Sequence, residues 1–324
     1  MKHVLITGGT GLLGRFLLQR LLSEGCKVTA FYRKTLPDTS HPNLHWVEGD
    51  ILDPLLLRSL IQEVEEVYHC AGFVSYAPQD AGLLQQVNVE GTANIVDACL
   101  IKPDVRLCHV SSIAAVNRKK GENLIHEDVK WDMAAERSVY AFSKHYAEME
   151  VWRGISEGLK AVIINPSVIL GPGDMDRSST QLFKYISEER AFFTRGYANF
   201  VDVRDVVEAM VLLMNGNHWG ERFIINGHTT SYQHFFQAVA VLMGKRAPYV
   251  KVPSWVSEIV WRLESMRGKL TGVKPLITKE TARIAKEKHF YSNAKVKAAT
   301  GIMFRPLEDT LRWSCEELAK AGTL

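Results

Sequence analysis

Three clusters in this 324-residue chain have residue types and spacings suited to chemistry. Tyr140 and Lys144 stand four apart, so on a helix their phenol and ammonium share one face. A free phenol titrates near ~10, about three units too high for easy proton exchange at neutrality. A nearby cation favours the phenolate and brings the group within reach of acid/base work. The pair alone is common on helix surfaces. It gains weight from Val110-Ser111-Ser112, where a serine hydroxyl at a strand end could hold a substrate oxygen beside the phenol. The second cluster is Thr7-Gly8-Gly9-Thr10-Gly11-Leu12-Leu13-Gly14, after the apolar run His3–Ile6. It reads as strand, tight turn and helix opening, which aims backbone N–H groups and a helix dipole at one point where a pyrophosphate sits. Gly8 suits the turn, Gly11 lets a phosphate approach, and Gly14 lets the helix pack closely on the strand. The third cluster, Phe31-Tyr32-Arg33-Lys34, ends the second strand, where an NAD site usually carries an acidic residue for the ribose 2′-hydroxyl. Arg33 and Lys34 suit a 2′-phosphate, which favours NADP(H) over NAD(H); the alternative is a solvated pair at a strand end.

Elements able to position these clusters follow from the apolar pattern. Strands are expected at Val4–Thr7, Val28–Tyr32, Leu44–Val47, Glu66–His69, Arg106–Val110 and Ala161–Asn165. Helices are expected near Leu12–Glu24, Pro54–Val64, Ala81–Leu100 and Ser138–Gly158. Short apolar strands bounded by Gly, Pro, Asp or Ser fit burial on both faces. Their alternation with helices predicts an α/β fold with a doubly wound parallel sheet and right-handed crossovers. After Pro166 the pattern changes. Gly171-Pro172-Gly173-Asp174 is a loop, Phe200–Val206 leads into a helix, and Arg222–Asn226 looks like a late strand. We therefore expect a dinucleotide-binding domain over residues 1–166, rejoined by 197–226. Residues 167–196 and 227–324 would form a smaller, mainly helical substrate-binding part at the carboxyl ends of the strands.

Composition bounds the partners. Hydrophobic content of 46%, charged content of 23% and a net charge of +3 describe an ordinary globular chain and argue against nucleic acid. Arg118-Lys119-Lys120 is a short cluster that suits a solvated loop. Cys26, Cys70, Cys99, Cys108 and Cys315 are odd in number and irregular in spacing, which indicates neither a disulfide framework nor a metal site. A reducing cytoplasm fits. The first core strand begins too early to leave room for a signal peptide. No apolar stretch reaches a membrane span, since Val206 to Met214 is short and interrupted by Glu208.

Taken in order along the chain, these motifs resemble the extended short-chain dehydrogenase/reductase family, within the NAD-dependent epimerase/dehydratase superfamily. The resemblance rests on the glycines at 7–14, Gly49-Asp50-Ile51, His69-Cys70-Ala71-Gly72, Asn88-Val89-Glu90-Gly91-Thr92, Ser111-Ser112 and Tyr140/Lys144. It continues through Asn165-Pro166, Gly171-Pro172 and Val201–Val206, covering about two-thirds of the chain. Within the family the chain is most similar to the dihydroflavonol reductase and 3β-hydroxysteroid dehydrogenase-like branch. The resemblance implies that Gly8, Gly11 and Gly14 hold the pyrophosphate, with Thr10, Leu12 and Leu13 of the same turn. It implies Arg33 and Lys34 at the 2′-phosphate and Asp50 and Ile51 at adenine. Cys70, Ala71 and Gly72 would line the ribose and nicotinamide side, and Pro166 and Val168 would meet the nicotinamide. Tyr140 would exchange the proton, and Lys144 would bind the nicotinamide ribose and lower the phenol pKa. Ser112 matches the catalytic serine better than Ser111, because Val116-Asn117 then falls where the reductase branch has its Val-Asn; Asn117 and Ser178 are substrate-side candidates.

Departures from the sugar-nucleotide branch refine that reading. Its members usually carry an Arg before an Asn-x-Tyr-Gly-Pro stretch, whereas this chain has Ile163-Ile164-Asn165-Pro166-Ser167-Val168-Ile169-Leu170-Gly171-Pro172. Val139 and Ile113 stand where dehydratases place an acidic residue. The resulting expectation is an NADP(H)-dependent reductase of a ketone or aldehyde, reversible as an alcohol dehydrogenase, acting on a small molecule. Nucleotide-sugar epimerisation or dehydration with tightly held cofactor, and NADP sensing without catalysis, are the competing readings. The resemblance also implies a homodimer through helices 81–100 and 138–158. Trp255, Trp261 and the amphipathic stretch Pro253–Leu270 suit helix core, ahead of an apolar pocket or contact with a membrane surface. His69, Asp202, Arg204 and Asp205 suit structural roles.

Overall fold

The structure, a computed structural model, describes residues 1–117, 124–129, 131–132, 137–253 and 288–322. Its first half alternates β1 (His3–Thr7), α1 (Leu12–Ser23), β2 (Lys27–Tyr32), β3 (Leu44–Glu48), α2 (Pro54–Ile61) and β4 (Glu66–His69). Next come α3 (Ala81–Leu84), a π-helical segment (Gln85–Glu90), α4 (Gly91–Ile101), β5 (Arg106–Val110), the short β6 (Leu124–Ile125), α5 (Val139–Ser156) and β7 (Lys160–Pro166). The expected strands are all present. The expected helix over 81–100 is present as one unbroken run whose middle, Gln85–Glu90, is π-helical, a widening that often marks a functional position.

The remainder runs β8 (Val168–Leu170), α6 (Gln181–Ser187), β9 (Phe192–Phe193), β10 (Tyr197–Asp202), α7 (Val203–Asn215) and β11 (Glu221–Ile225). It continues with β12 (His228–Ser231), α8 (Tyr232–Met243), β13 (Val250–Lys251), β14 (Phe290–Tyr291), α9 (Ala294–Thr300) and α10 (Leu307–Lys320). Seven strands form a parallel sheet in the order β11-β7-β5-β4-β1-β2-β3. Successive side chains of a strand point to opposite faces, and here both faces are apolar. Val4 and Ile6 pack with Leu17 and Leu21 of α1 and Val206 and Met210 of α7. Leu5, between them, packs on the other face with Leu57 of α2, Ile95 and Val96 of α4 and Val151 of α5. Cys108 against Leu107, and Val162 and Ile164 against Ala161 and Ile163, repeat this division in β5 and β7. Helices on both faces of a parallel sheet make the doubly wound architecture.

The smaller C-terminal region is mixed. Its helices α6, α8 and α10 pack against a three-stranded sheet, β12-β10-β8, in which β10 is parallel to β8 and antiparallel to β12. Phe200 of β10 stacks on Phe235 of α8 with centroids 4.6 Å apart, at the centre of this third core. The acidic residues at the N-terminus of α7 have structural roles and reach the C-terminal region. Asp202 caps α7 by accepting from the Arg204 N–H at 2.8 Å and also accepts from the Thr310 hydroxyl at 2.8 Å. Asp205 accepts from the Arg305 N–H at 2.8 Å. Trp255, Trp261, the stretch from residue 254 to 270 and Arg118-Lys119-Lys120 lie outside the described residues. Among the described residues no helix is long and apolar enough to cross a membrane.

Strand order reverses between β1 and β4: the chain runs outward to β2 and β3, returns to β4, and then proceeds the other way. Their carboxyl ends diverge into loops on opposite faces and leave a crevice, where open α/β sheets take their ligands.

Candidate active site

One wall of the crevice is the turn after β1. Gly8 has φ +71, in the left-handed region, and its carbonyl accepts from the Gly11 N–H at 3.0 Å. A Cβ on Gly8 would lie 2.6 Å from the Ala71 nitrogen, so the turn is pressed against the end of β4. A Cβ on Gly14 would lie 2.1 Å from the Gly8 carbonyl oxygen, so the first turn of α1 sits directly on the loop. Gly11 is the N-cap of α1 and no side chain caps the helix, which leaves N–H groups there available to an external acceptor. A close-packed glycine turn opening into an uncapped helix fits a dinucleotide pyrophosphate.

Below this wall, β1, β4 and α4 are tied by a buried histidine. The Thr92 hydroxyl donates to the Asn88 carbonyl at 2.6 Å, so it accepts from His69 Nε2–H at 3.0 Å. His69 Nδ1 then accepts from the Thr7 hydroxyl at 2.7 Å, and Thr7 Oγ1 accepts from the Ala71 N–H at 3.2 Å. Burial lowers the His69 pKa to about 3. The ring is a neutral spacer that sets the height of Cys70-Ala71-Gly72, which accords with a structural role.

The opposite wall brings a hydroxyl, a phenol and an ammonium together. Tyr140 and Lys144 lie one turn apart on α5 and are 7% and 5% exposed. Ser112 follows β5 in extended backbone, accepts from the Ala114 N–H at 3.1 Å, and hydrogen-bonds the Tyr140 phenol. Ser111 is turned away toward Glu148. Burial raises the Tyr140 pKa and the Ser112 hydrogen bond opposes that rise. The Lys144 ammonium donates to the Val110 carbonyl at 2.9 Å, and a Cβ on Gly72 would lie 3.3 Å from it. Burial lowers the Lys144 pKa to about 8, against the opposing charge of Glu148.

Asn88, in the π-helical segment, is visible in the sequence only as part of a family motif. Its side chain accepts from the Phe73 N–H at 2.7 Å and donates to the Phe73 carbonyl at 3.0 Å. It also donates to Ser143 Oγ at 2.9 Å, joining the loop after β4 to α5 beside Lys144. Glu148, a further turn along α5, was not singled out by sequence; its position eight residues beyond Tyr140, on the same helix face, was the available signal.

Other candidates sit around the crevice. Arg33 and Lys34 are exposed beyond β2, and neither pairs with a carboxylate among the described residues. Asp50 is half-buried and accepts from the Leu52 N–H at 3.1 Å, while the buried Ile51 packs where Gly91 leaves no Cβ. The Cys70 thiol is pushed up to about 12 by burial. Pro166 ends β7 and Val168 begins β8, half-exposed. Asn117 is buried and accepts from Arg137, whose guanidinium lies 4.2 Å from the Trp131 ring centroid. Ser178 opens a single 3₁₀ turn, and its side chain lies outside the described residues.

A sequence model described as the NAD dependent epimerase/dehydratase family matches residues 4–226. A Synechocystis protein provisionally named a dihydroflavonol 4-reductase is 27% identical over 322 residues, covering 95% of this chain and 93% of that protein. Cinnamoyl-CoA reductase 1 of Petunia hybrida is 24% identical over 341 residues, covering 99% and 93%. The crystal structure of a protein called gox2253 superposes with a TM-score of 0.85 at 27% identity, covering 100% of both chains. The chain belongs to the NAD dependent epimerase/dehydratase family, and its fold is that of extended short-chain dehydrogenases/reductases. These relationships support an oxidoreductase with a nicotinamide cofactor.

Proposed function

We propose that this family member reduces a ketone or aldehyde with NADP(H), and oxidises the corresponding alcohol in reverse. One observation carries the reading: the Ser112 hydroxyl bonds the Tyr140 phenol, with Lys144 buried one turn away, across the crevice from an uncapped glycine turn. The bound nicotinamide would supply a hydride to the carbonyl carbon. Tyr140 delivers the proton to the carbonyl oxygen, and Ser112 holds that oxygen in place as it gains charge. Together these additions make the alcohol. Tyr140 then regains a proton from solvent. Lys144, fixed by the Val110 carbonyl, stabilises the phenolate left between the two events and meets the nicotinamide ribose.

Gly8, Thr10, Gly11, Leu12, Leu13 and Gly14 take the pyrophosphate in this reading. Asp50 and Ile51 take adenine, and Cys70, Ala71, Gly72, Pro166 and Val168 surround the nicotinamide half. The exposed Arg33 and Lys34 favour NADP(H), because two adjacent cations, neither held by a carboxylate among the described residues, suit a 2′-phosphate. Asn117 and Ser178 remain the substrate-side candidates. Val139 and Ile113, flanking Tyr140 and Ser112, favour reduction over dehydration, as do the reductase names of the two relatives. Exposed Leu83, Tyr146 and Met149 on α3 and α5 support a homodimer through these helices. Five free cysteines, four of them buried, accord with a reducing cytoplasm.

The test is Tyr140→Phe, followed by nicotinamide absorbance across a panel of carbonyls. Turnover should fall by about 10²–10⁴-fold while cofactor affinity is retained. Parental turnover in this variant would refute the mechanism. Cofactor binding by the parent with no carbonyl turned over would favour a sensor instead.

A further inference from the structure

Glu148 is a buried carboxylate that the proposed chemistry does not use. It is 1% exposed, at the inner end of the stripe Tyr140–Lys144–Glu148 on α5. Glu148 Oε2 accepts from Arg222 of β11 at 3.3 Å, and the Ser111 hydroxyl faces the same carboxylate. Glu148 Oε1 accepts from Asn165 Nδ2 at 2.6 Å. The same amide nitrogen donates its other hydrogen to the Ser112 carbonyl at 2.9 Å. A neutral amide has two hydrogens on that nitrogen, and here both are directed by their acceptors.

A buried ion pair joining α5 to β11 would need only Arg222. The chain Glu148–Asn165–Ser112 does something the pair does not. It fixes which way the Asn165 amide faces, because turning it over would set the carboxamide oxygen against the carboxylate and the serine carbonyl. Asn165 and the Ala115 N–H, at 3.0 Å, together hold the Ser112 carbonyl and so fix the backbone from which the hydroxyl, accepting from the Ala114 N–H at 3.1 Å, meets Tyr140.

We propose that Glu148 is a positioning residue for the reaction, acting through Asn165 to hold Ser112 in the orientation that meets Tyr140 and the substrate oxygen. This inference rests on the Ser112/Tyr140/Lys144 reading above. Orientation effects of this kind reach on the order of 10²-fold in turnover for small displacements.

The experiment compares the full-length parent with Asn165→Ala, Glu148→Gln, Ser112→Ala and the double variant Ser112→Ala/Asn165→Ala. Benzaldehyde and ethyl acetoacetate are the probes, with NADPH. Asn165→Ala should lower kcat on the order of 10²-fold with the KM for NADPH changed by less than about twofold. In the Ser112→Ala background the same substitution should cost less than about twofold further, because the group it positions is gone. Glu148→Gln keeps an oxygen that can accept from Asn165 and should cost less than Asn165→Ala; if it does not fold, the Asn165 cycle decides alone. Parental kcat in Asn165→Ala, or an equal loss in both backgrounds, overturns the inference and leaves the Ser/Tyr/Lys reading intact. A parent that reduces neither probe, or an active Tyr140→Phe, overturns that reading and the inference with it.

Discussion

Replacing Gly14 with alanine tests whether the turn after β1 is the rigid part of the cofactor site. The added Cβ would lie 2.1 Å from the Gly8 oxygen, 2.8 Å from the Gly8 carbonyl carbon and 2.9 Å from Gly9 Cα. Comfortable separations between carbons are about 3.5–4.0 Å, so the overlap approaches an ångström against three backbone atoms. Neither side can yield easily. The Gly8 carbonyl holds the Gly11 N–H at 3.0 Å, and the turn backs onto Ala71. Helix α1 is anchored by Leu17, Leu18 and Leu21, at 0%, 2% and 1% exposure, so its retreat would open voids in the core. Overpacking of this kind costs about 1–3 kcal/mol. If opening the turn relieves the strain, cofactor affinity should fall roughly 5–150-fold. If the turn holds, the cost should appear as a lower Tm. Titration calorimetry with NADPH and thermal melts separate the two. Gly82→Ala on α3 is the control, since its Cβ would meet nothing within 4 Å; affinity should stay at the parental value and Tm should hold or rise slightly. Gly14→Ala with parental affinity and parental Tm would refute the reasoning.

Arg33→Ala should weaken NADPH by about tenfold or more through loss of a charge-assisted contact, while NADH affinity and Tm stay unchanged; equal weakening of both cofactors would remove the 2′-phosphate assignment. Acid pH should destabilise the protein through its buried imidazoles. His69 has a pKa of about 3 when folded and 6.5 when unfolded, and burial shifts His109 the same way. Between these values the unfolded chain binds the extra protons, so stability falls as pH drops below 6.5. Urea melts between pH 6.5 and 5 probe this window above the ordinary carboxylate range, and equal stability across it would refute the assignment.

The seven sheet strands were legible because each is a short apolar run whose alternate residues feed two cores, and such runs leave the same pattern whatever surrounds them. The glycine turn was legible for a similar reason: its constraints act between residues a few positions apart. The π-helical segment was not, because Gln85–Glu90 has ordinary helix-forming residues and its widening is coupled to the contacts of Asn88 with Phe73 and Ser143 across the crevice. Sequence also suggested that Lys144 would lower the Tyr140 pKa. In the folded chain burial pushes the phenol up, with Ser112 opposing, so the balance at that group is set by desolvation that spacing does not encode.

Local rules determined the dinucleotide turn, the strands beside it and the one helix face shared by Tyr140 and Lys144. They act over distances that a few residues of chain span. Only the tertiary structure decided that His69 is a neutral spacer, that Asn88 joins the loop after β4 to α5, and that Glu148 reaches Ser112 through Asn165. Each of those outcomes depends on a side chain brought from a separate element into a space without water. There every polar group must find a partner, and the one it finds sets its orientation and protonation.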